Sequence, residues 1–178
     1  MPTSFSPSGP TPTEIDALGE AIEAREVVER ATVRLAADRR TEDDLQRLRH
    51  ALAGMVNCID DPEAFAEHDL ALHEAIADAA GNCLLAAALA DLRGLVREMI
   101  AIFIRSAESE TTMHELFAAH ADLVDALERR DGDEAARIIT SMMVRLRAEA
   151  ARRGLVEIPK TTANSTPRIA KEMEREDR

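Results

Sequence analysis

The sequence predicts an all-α protein, an antiparallel bundle of about six helices, on three observations. Apolar residues recur at spacings of three and four in six successive segments, with no stretch that alternates as a strand would. There is no Trp or Tyr and only four Phe, so the core must come from Leu, Ile, Val, Met and Ala, a mixture that suits packed helices better than pleated strands. The segments are joined by short connections, which make successive helices antiparallel neighbours.

The elements follow in order. Residues 1–13, rich in Ser, Thr and Pro, read as a flexible leader. A first helix is expected from Glu14 to Arg39 with Thr13 as its cap. Thr41-Glu42-Asp43-Asp44 caps a second to about Val56, with Leu45, Leu48, Leu52 and Met55 as its apolar stripe. Asp61-Pro62 places a cap before a proline and opens a third to Ala80, ended by Gly81-Asn82. A fourth, from Leu84 to Ser106, is apolar on most sides. A fifth runs from Thr112 to Arg130, and Asp131-Gly132-Asp133 turns into a sixth ending near Gly154. Residues 14–154 thus form one domain, and 155–178 read as a flexible charged tail.

Composition excludes several functions. A net charge of −12 argues against the chain holding a nucleic-acid backbone by itself, since that needs Lys and Arg against phosphates. No apolar run is long enough to span a bilayer, and Cys58 and Cys83 form no CxxC pair, so a reduced, cytoplasmic location without membrane contact is expected. There is no Glu-x-x-His, no His-Glu-x-x-His, no GxSxG and no glycine-rich phosphate loop.

The informative residues are polar ones on apolar stripes. On the third helix the stripe reads Phe65, Asp69, Leu72, His73, Ile76, Ala80, which turns Asp69 and His73 inward on one face. On the fifth it includes His120 between Phe117 and Val124, and on the sixth it is Ala135, Ile139, Met142 and Leu146. Arg25 sits on the buried side of the first helix, one turn before Glu29. A buried carboxylate needs a partner or a metal. Asp69, His73 and His120 could offer one oxygen and two nitrogens to a divalent ion, or could form a hydrogen-bonded network in a partly wet groove. Arg25 pairs with Glu29 or another acid, or holds an anion. His50, His68 and His114 read as surface residues.

Three motifs resemble one family. Glu67-His68-Asp69-Leu70-Ala71-Leu72-His73 followed by Ala80-Gly81-Asn82 resembles the signature of the FCD domain, the effector-binding part of GntR-family transcriptional regulators of the FadR/VanR-like kind. Arg25 to Glu29 resembles that domain's opening Arg-x-x-x-Glu helix, and His120-Ala121-Asp122-Leu123 its late His helix. The resemblance implies an all-helical, homodimeric ligand-binding domain that senses a small carboxylate. In many such domains the effector lies over a divalent metal, Zn or Ni first, held by one Asp and three His. Asp69, His73 and His120 match three of those ligands, and the fourth position falls on Met142, with Arg145 one turn along. Arg25, Arg93, Arg97 and Asn82 are the candidates for holding the effector. DNA is expected to be reached only through a winged-helix domain, for which about thirteen leading residues leave no room. The expected role is therefore sensing and not catalysis. The rivals are a metal-free helical interaction module and a metal-dependent enzyme using open positions on the ion.

Overall fold

A computed structural model describes residues 12–92 and 109–156. It comprises α1 (Pro12–Arg39), α2 (Glu42–Asn57), α3 (Pro62–Ala79), α4 (83–92 within the described part), α5 (Ser109–Glu128) and α6 (Gly132–Arg152). The described part of the chain is all-α.

Local chemistry sets the helix starts. Thr41 and Asp44 form a reciprocal box at α2, each side chain taking the other's backbone N–H. Asp61 accepts from the Ala64 amide at α3, where Pro62 occupies the first helical position, and Asp131 accepts from Glu134 at α6. Acidic residues fill the first turns of α2 and α6, complementing the helix dipole. α1 begins at Pro12, two residues before the expected Glu14, because proline there fits a first helical turn whose N–H would be unpaired anyway.

The helix ends depend on arginines. α5 stops in a Schellman turn: Asp131 N–H bonds Ala126 O and Arg130 N–H bonds Leu127 O, with Arg130 in the left-handed region at φ 58°. The sequence pointed to Gly132 as the turning residue, but Gly132 is the first residue of α6. A side chain there would meet the Arg34 backbone at 3.1 Å, so glycine permits a close α1–α6 approach. The Arg130 guanidinium donates to the carbonyls of Ala37, Asp38 and Arg40 at the end of α1. Arg40 returns the favour to Leu127 O and Glu128 O, and Arg39 donates to Ala80 O at the end of α3. These bonds satisfy carbonyls that a helix end leaves unpaired. At α6 a second Schellman turn uses Gly154, and Val156 then packs into the core, so the chain stays attached two residues beyond the tail boundary read from sequence.

α1 is the central element. It packs most extensively on α6 and also meets α3 and α5; α2 lies on α3 and α5, and α5 on α6. α1 and α2, despite their two-residue link, are not a packed hairpin. The extended backbone at Thr41 carries α2 away onto α3. The core joins Leu18, Ile22 and Val33 of α1 to Leu48, Phe65, Leu72, Leu123 and Ile139, each contributing about 1.5–3 kcal/mol by burial. His68, expected at the surface, covers Gly54, where a Cβ would fall 2.2 Å from its ring. No described helix is long and apolar enough to cross a membrane.

Arg130→Ala should destabilise the chain by roughly 1–3 kcal/mol, since it keeps the left-handed strain and orphans the α1 carbonyls. Arg130→Gly should cost less, because glycine removes the strain. Urea denaturation of the two variants checks that order.

Candidate functional site

The buried stripe of α1 changes character halfway along. After Leu18 and Ile22 the next inward positions are Arg25, Glu29 and Thr32, and all three are buried. They face Asp69 and His73 from α3 and His120 from α5, with every one of these six residues between 0 and 9% exposed. Thr32 is satisfied locally by the Val28 carbonyl. The other five form one connected cluster.

Arg25 Nε lies 2.6 Å from Glu29 Oε1, an i,i+4 ion pair. The same Glu29 oxygen is 3.2 Å from His73 Nδ1. On the other side His120 Nδ1 is 2.7 Å from the Leu116 carbonyl. A carbonyl and a carboxylate only accept, so Nδ1 of each imidazole is the donor in these two contacts. Both Nε2 atoms turn inward, and His120 Nε2, facing a carboxylate that also only accepts, needs either its own proton or a metal ion between the two. The two Nε2 atoms are 3.3 Å apart, and Asp69 Oδ1 is 2.8 Å from that of His120 and 4.0 Å from that of His73. Three ligand atoms lie within 4.8 Å of one another.

The electrostatics agree. Burial opposes the charge of Asp69, but His120, His73 and Arg25 hold its carboxyl well below the usual range. Burial, resisted by Glu29 and reinforced by Arg25, pushes His73 below the usual imidazole range, so it is neutral at pH 7. Burial also works against Arg25, yet Glu29 and Asp69 hold its pKa above the ordinary value. Two carboxylates, Glu29 and Asp69, face one guanidinium, Arg25. Asp69 Oδ2 and Glu29 Oε2 are buried without a hydrogen-bond partner among the described residues. Converging ligand atoms, two carboxylates against one guanidinium and two orphaned carboxylate oxygens are what a cation would satisfy. One oxygen and two imidazole nitrogens suit Zn or Ni.

Asp69, His120 and Arg25 open onto a cavity of about 670 Å³ between α5 and α6. Met142 lines it and is buried, while Arg145, one turn along, pairs with Glu115 at the exposed rim. Of these two α6 positions, Met142 is the buried one and shares the cavity with Asp69 and His120. A second space of about 40 Å³ behind His73 is bounded by Arg25, Glu29 and Glu74, with room for a water or two.

The remaining candidates separate. Asn82 accepts from the amides of Leu84 and Leu85 and so caps α4; it lines neither cavity. Arg93 and Arg97 lie outside the described residues. Sequence reasoning gave Glu29 only as a partner for Arg25, and its contact with His73, 44 positions on, carries no local signal. Met113 and Met143 also line the large cavity.

Comparison with known proteins places the same stretch in context. The family model for the FCD domain matches residues 20–145. The chain is 34% identical over 122 residues to the galactonate operon transcriptional repressor of Escherichia coli (strain K12), an alignment covering 68% of this chain and 52% of that protein. It is 32% identical over 120 residues to the HTH-type transcriptional regulator LutR of Bacillus subtilis (strain 168), covering 65% and 54%. The chain therefore spans about half the length of these relatives. The structure of E. coli McbR/YncC aligns over 84% of this chain and 77% of that one with TM-score 0.69 at 18% identity, which speaks for the fold alone.

Removing Glu29 takes the bonded partner from Arg25, leaving only Asp69 against the buried cation, and takes the acceptor from His73 Nδ1. Glu29→Ala should cost about 3–5 kcal/mol, whereas Arg25→Met with Glu29→Leu should cost less, because no buried cation remains and only His73 Nδ1 is left unpaired. Chemical denaturation of the single and double variants measures the difference.

Proposed function

Because the chain belongs to the FCD domain family, an effector-binding regulatory domain, we propose that it senses a small carboxylate over a divalent metal held by Asp69, His73 and His120. The observation that carries the reading is the convergence of three potential ligand atoms in a buried site, one of them on a carboxylate whose other oxygen has no hydrogen-bond partner among the described residues. Glu29 and the Leu116 carbonyl fix the imidazole tautomers from outside the ligand set, as the outer partners of metal-bound histidines do. When bound, the ion supplies positive charge at the cavity floor and open positions that a carboxylate can fill. Arg25, at the same floor, adds a cation beside that carboxylate while keeping Glu29 in place.

The role is sensing and not catalysis, in keeping with relatives named as transcriptional regulators. Contact with DNA would come through a winged-helix domain, in the cytoplasm, and the domain would work as a homodimer. The surface proposed for the partner is on α4, where Leu84 is 78% exposed. Sedimentation equilibrium should give a dimer that Leu84→Glu weakens, and a monomer at high micromolar concentration would count against this surface.

Metal titration tests the centre. Zn or Ni at about 100 times its Kd should raise stability by about 2.7 kcal/mol. Asp69→Ala or His120→Ala should abolish binding, and Met142→His should tighten it by supplying a further imidazole. Protons compete with the ion for His73 Nε2. Its lowered pKa leaves that nitrogen free at pH 7, so binding should hold there and fall as pH drops below the ordinary imidazole range. Calorimetry across pH on these variants is the measurement. An unaltered chain that binds neither metal would leave the cluster a hydrogen-bond network.

A further inference from the structure

We propose that the effector is an acid with an apolar body, a medium-chain or aryl monocarboxylate, and not a polyhydroxylated acid. This rests on the carboxylate-sensing reading above and adds the class of molecule. The argument starts from the size of the cavity. About 670 Å³ lies in the middle of the range for small-molecule sites and exceeds what a carboxylate on a short chain fills. Its polar groups are unevenly placed. Asp69, His120 and Arg25 sit together at the buried floor. Glu115 with Arg145, and Glu149 with Arg152, are ion pairs whose arginines are more than half exposed, so they belong to the mouth.

Asp122 also lines the space but is exposed, so it belongs with these pairs at the mouth, and the buried and half-buried wall between is largely apolar. α5 offers Met113 and Leu116, and α6 offers Ile138, Met142, Met143 and Leu146. Ser141 is the one hydroxyl among the described lining residues. A polyol acid entering this space would strip water from four or five hydroxyls and find few partners for them, at about 1–3 kcal/mol for each group left unpaired. An alkyl or aryl body loses nothing there and gains by leaving water. Methionines suit such a wall, since their unbranched thioethers adapt to a ligand's shape. Met142 thus has a use where the resemblance implies an imidazole. It extends the apolar wall down to the ligand set.

The experiment is calorimetric titration of the Zn-loaded 178-residue chain with butanoate, hexanoate, octanoate, phenylacetate and a hexonate, after a titration with Zn alone. Affinity should rise about fourfold per methylene from butanoate to octanoate, as burial of about 0.8 kcal/mol per CH₂ requires. Phenylacetate should bind, and the hexonate should be at least tenfold weaker than hexanoate. Leu146→Gln, at a half-buried wall position, should flatten the chain-length trend while leaving butanoate unchanged. A hexonate that binds as tightly as hexanoate, or an affinity independent of chain length, overturns the apolar-body assignment and leaves the carboxylate-sensing reading standing. If Zn binds and no acid does, the effector class is wrong. If neither Zn nor any acid binds, the sensing reading fails together with this one.

Discussion

Everything at the centre of this bundle depends on five ionisable side chains sharing one dry space. Arg25, Glu29, His73, Asp69 and His120 come from three helices, and each satisfies part of another's requirement. The set is not there for stability. A buried ion pair is on average no better than the apolar residues it displaces, and breaking one is costly. What the cluster provides is registry. α1 cannot slide a turn along α3 without separating Glu29 from His73, and α5 cannot rotate without separating His120 from Asp69. A set of this kind, with the orphaned oxygens of Asp69 and Glu29 inside it, has a use when something positively charged enters.

That arrangement can persist because the helix ends are fixed independently. The C-termini of α1, α3 and α5 meet at one end of the bundle, where Arg39, Arg40 and Arg130 exchange hydrogen bonds with one another's terminal carbonyls. The partial negative charges of three helix ends would repel if brought together bare, and three guanidinium groups offset them. α1, α3 and α5 are the same helices that deliver the buried cluster. They are pinned at their ends by charge and at their middles by the site.

How much of this is legible in the sequence depends on the range of the interaction. Thr41, Asp61 and Asp131 announce α2, α3 and α6 because a cap and its amide are three residues apart. The inward facing of Asp69, His73 and His120 follows from helical spacing alone, and so does the place of Met142 on the inner face of α6. Other features have no local signature. The left-handed residue after α5 is Arg130 and not the nearby glycine, because the side chain is held by α1, some ninety positions away. Asn82 carries the look of a site residue but acts as a cap, since its carbonyl reaches the next helix's amides first. The path of α2 onto α3, and of Glu29 to His73, is decided by tertiary packing that no window of sequence contains.

The division of labour between helices bears on how a ligand would be sensed. α1, α3 and α5 meet the site through charges and hydrogen bonds, which are directional and tolerate little displacement. α6 meets it through Ile138, Met142, Met143 and Leu146, whose contacts are numerous and individually weak. In the proposed reading, a carboxylate at the floor is held by the rigid side, while the rest of the molecule lies against α6. Ligand identity would then be registered mainly in how α6 packs, because the ion pairs that tie it to α5 and α1, Arg145–Glu115 and Arg34–Asp133, are exposed and worth little. α6 also makes the most extensive packing with α1, so an adjustment there reaches the central helix directly. An ordinary imidazole at position 142 would tie α6 to the ion as well. Met142 leaves it free to respond to the ligand's body, and a ligand shifts the domain only as far as its affinity for the two packings of α6 differs.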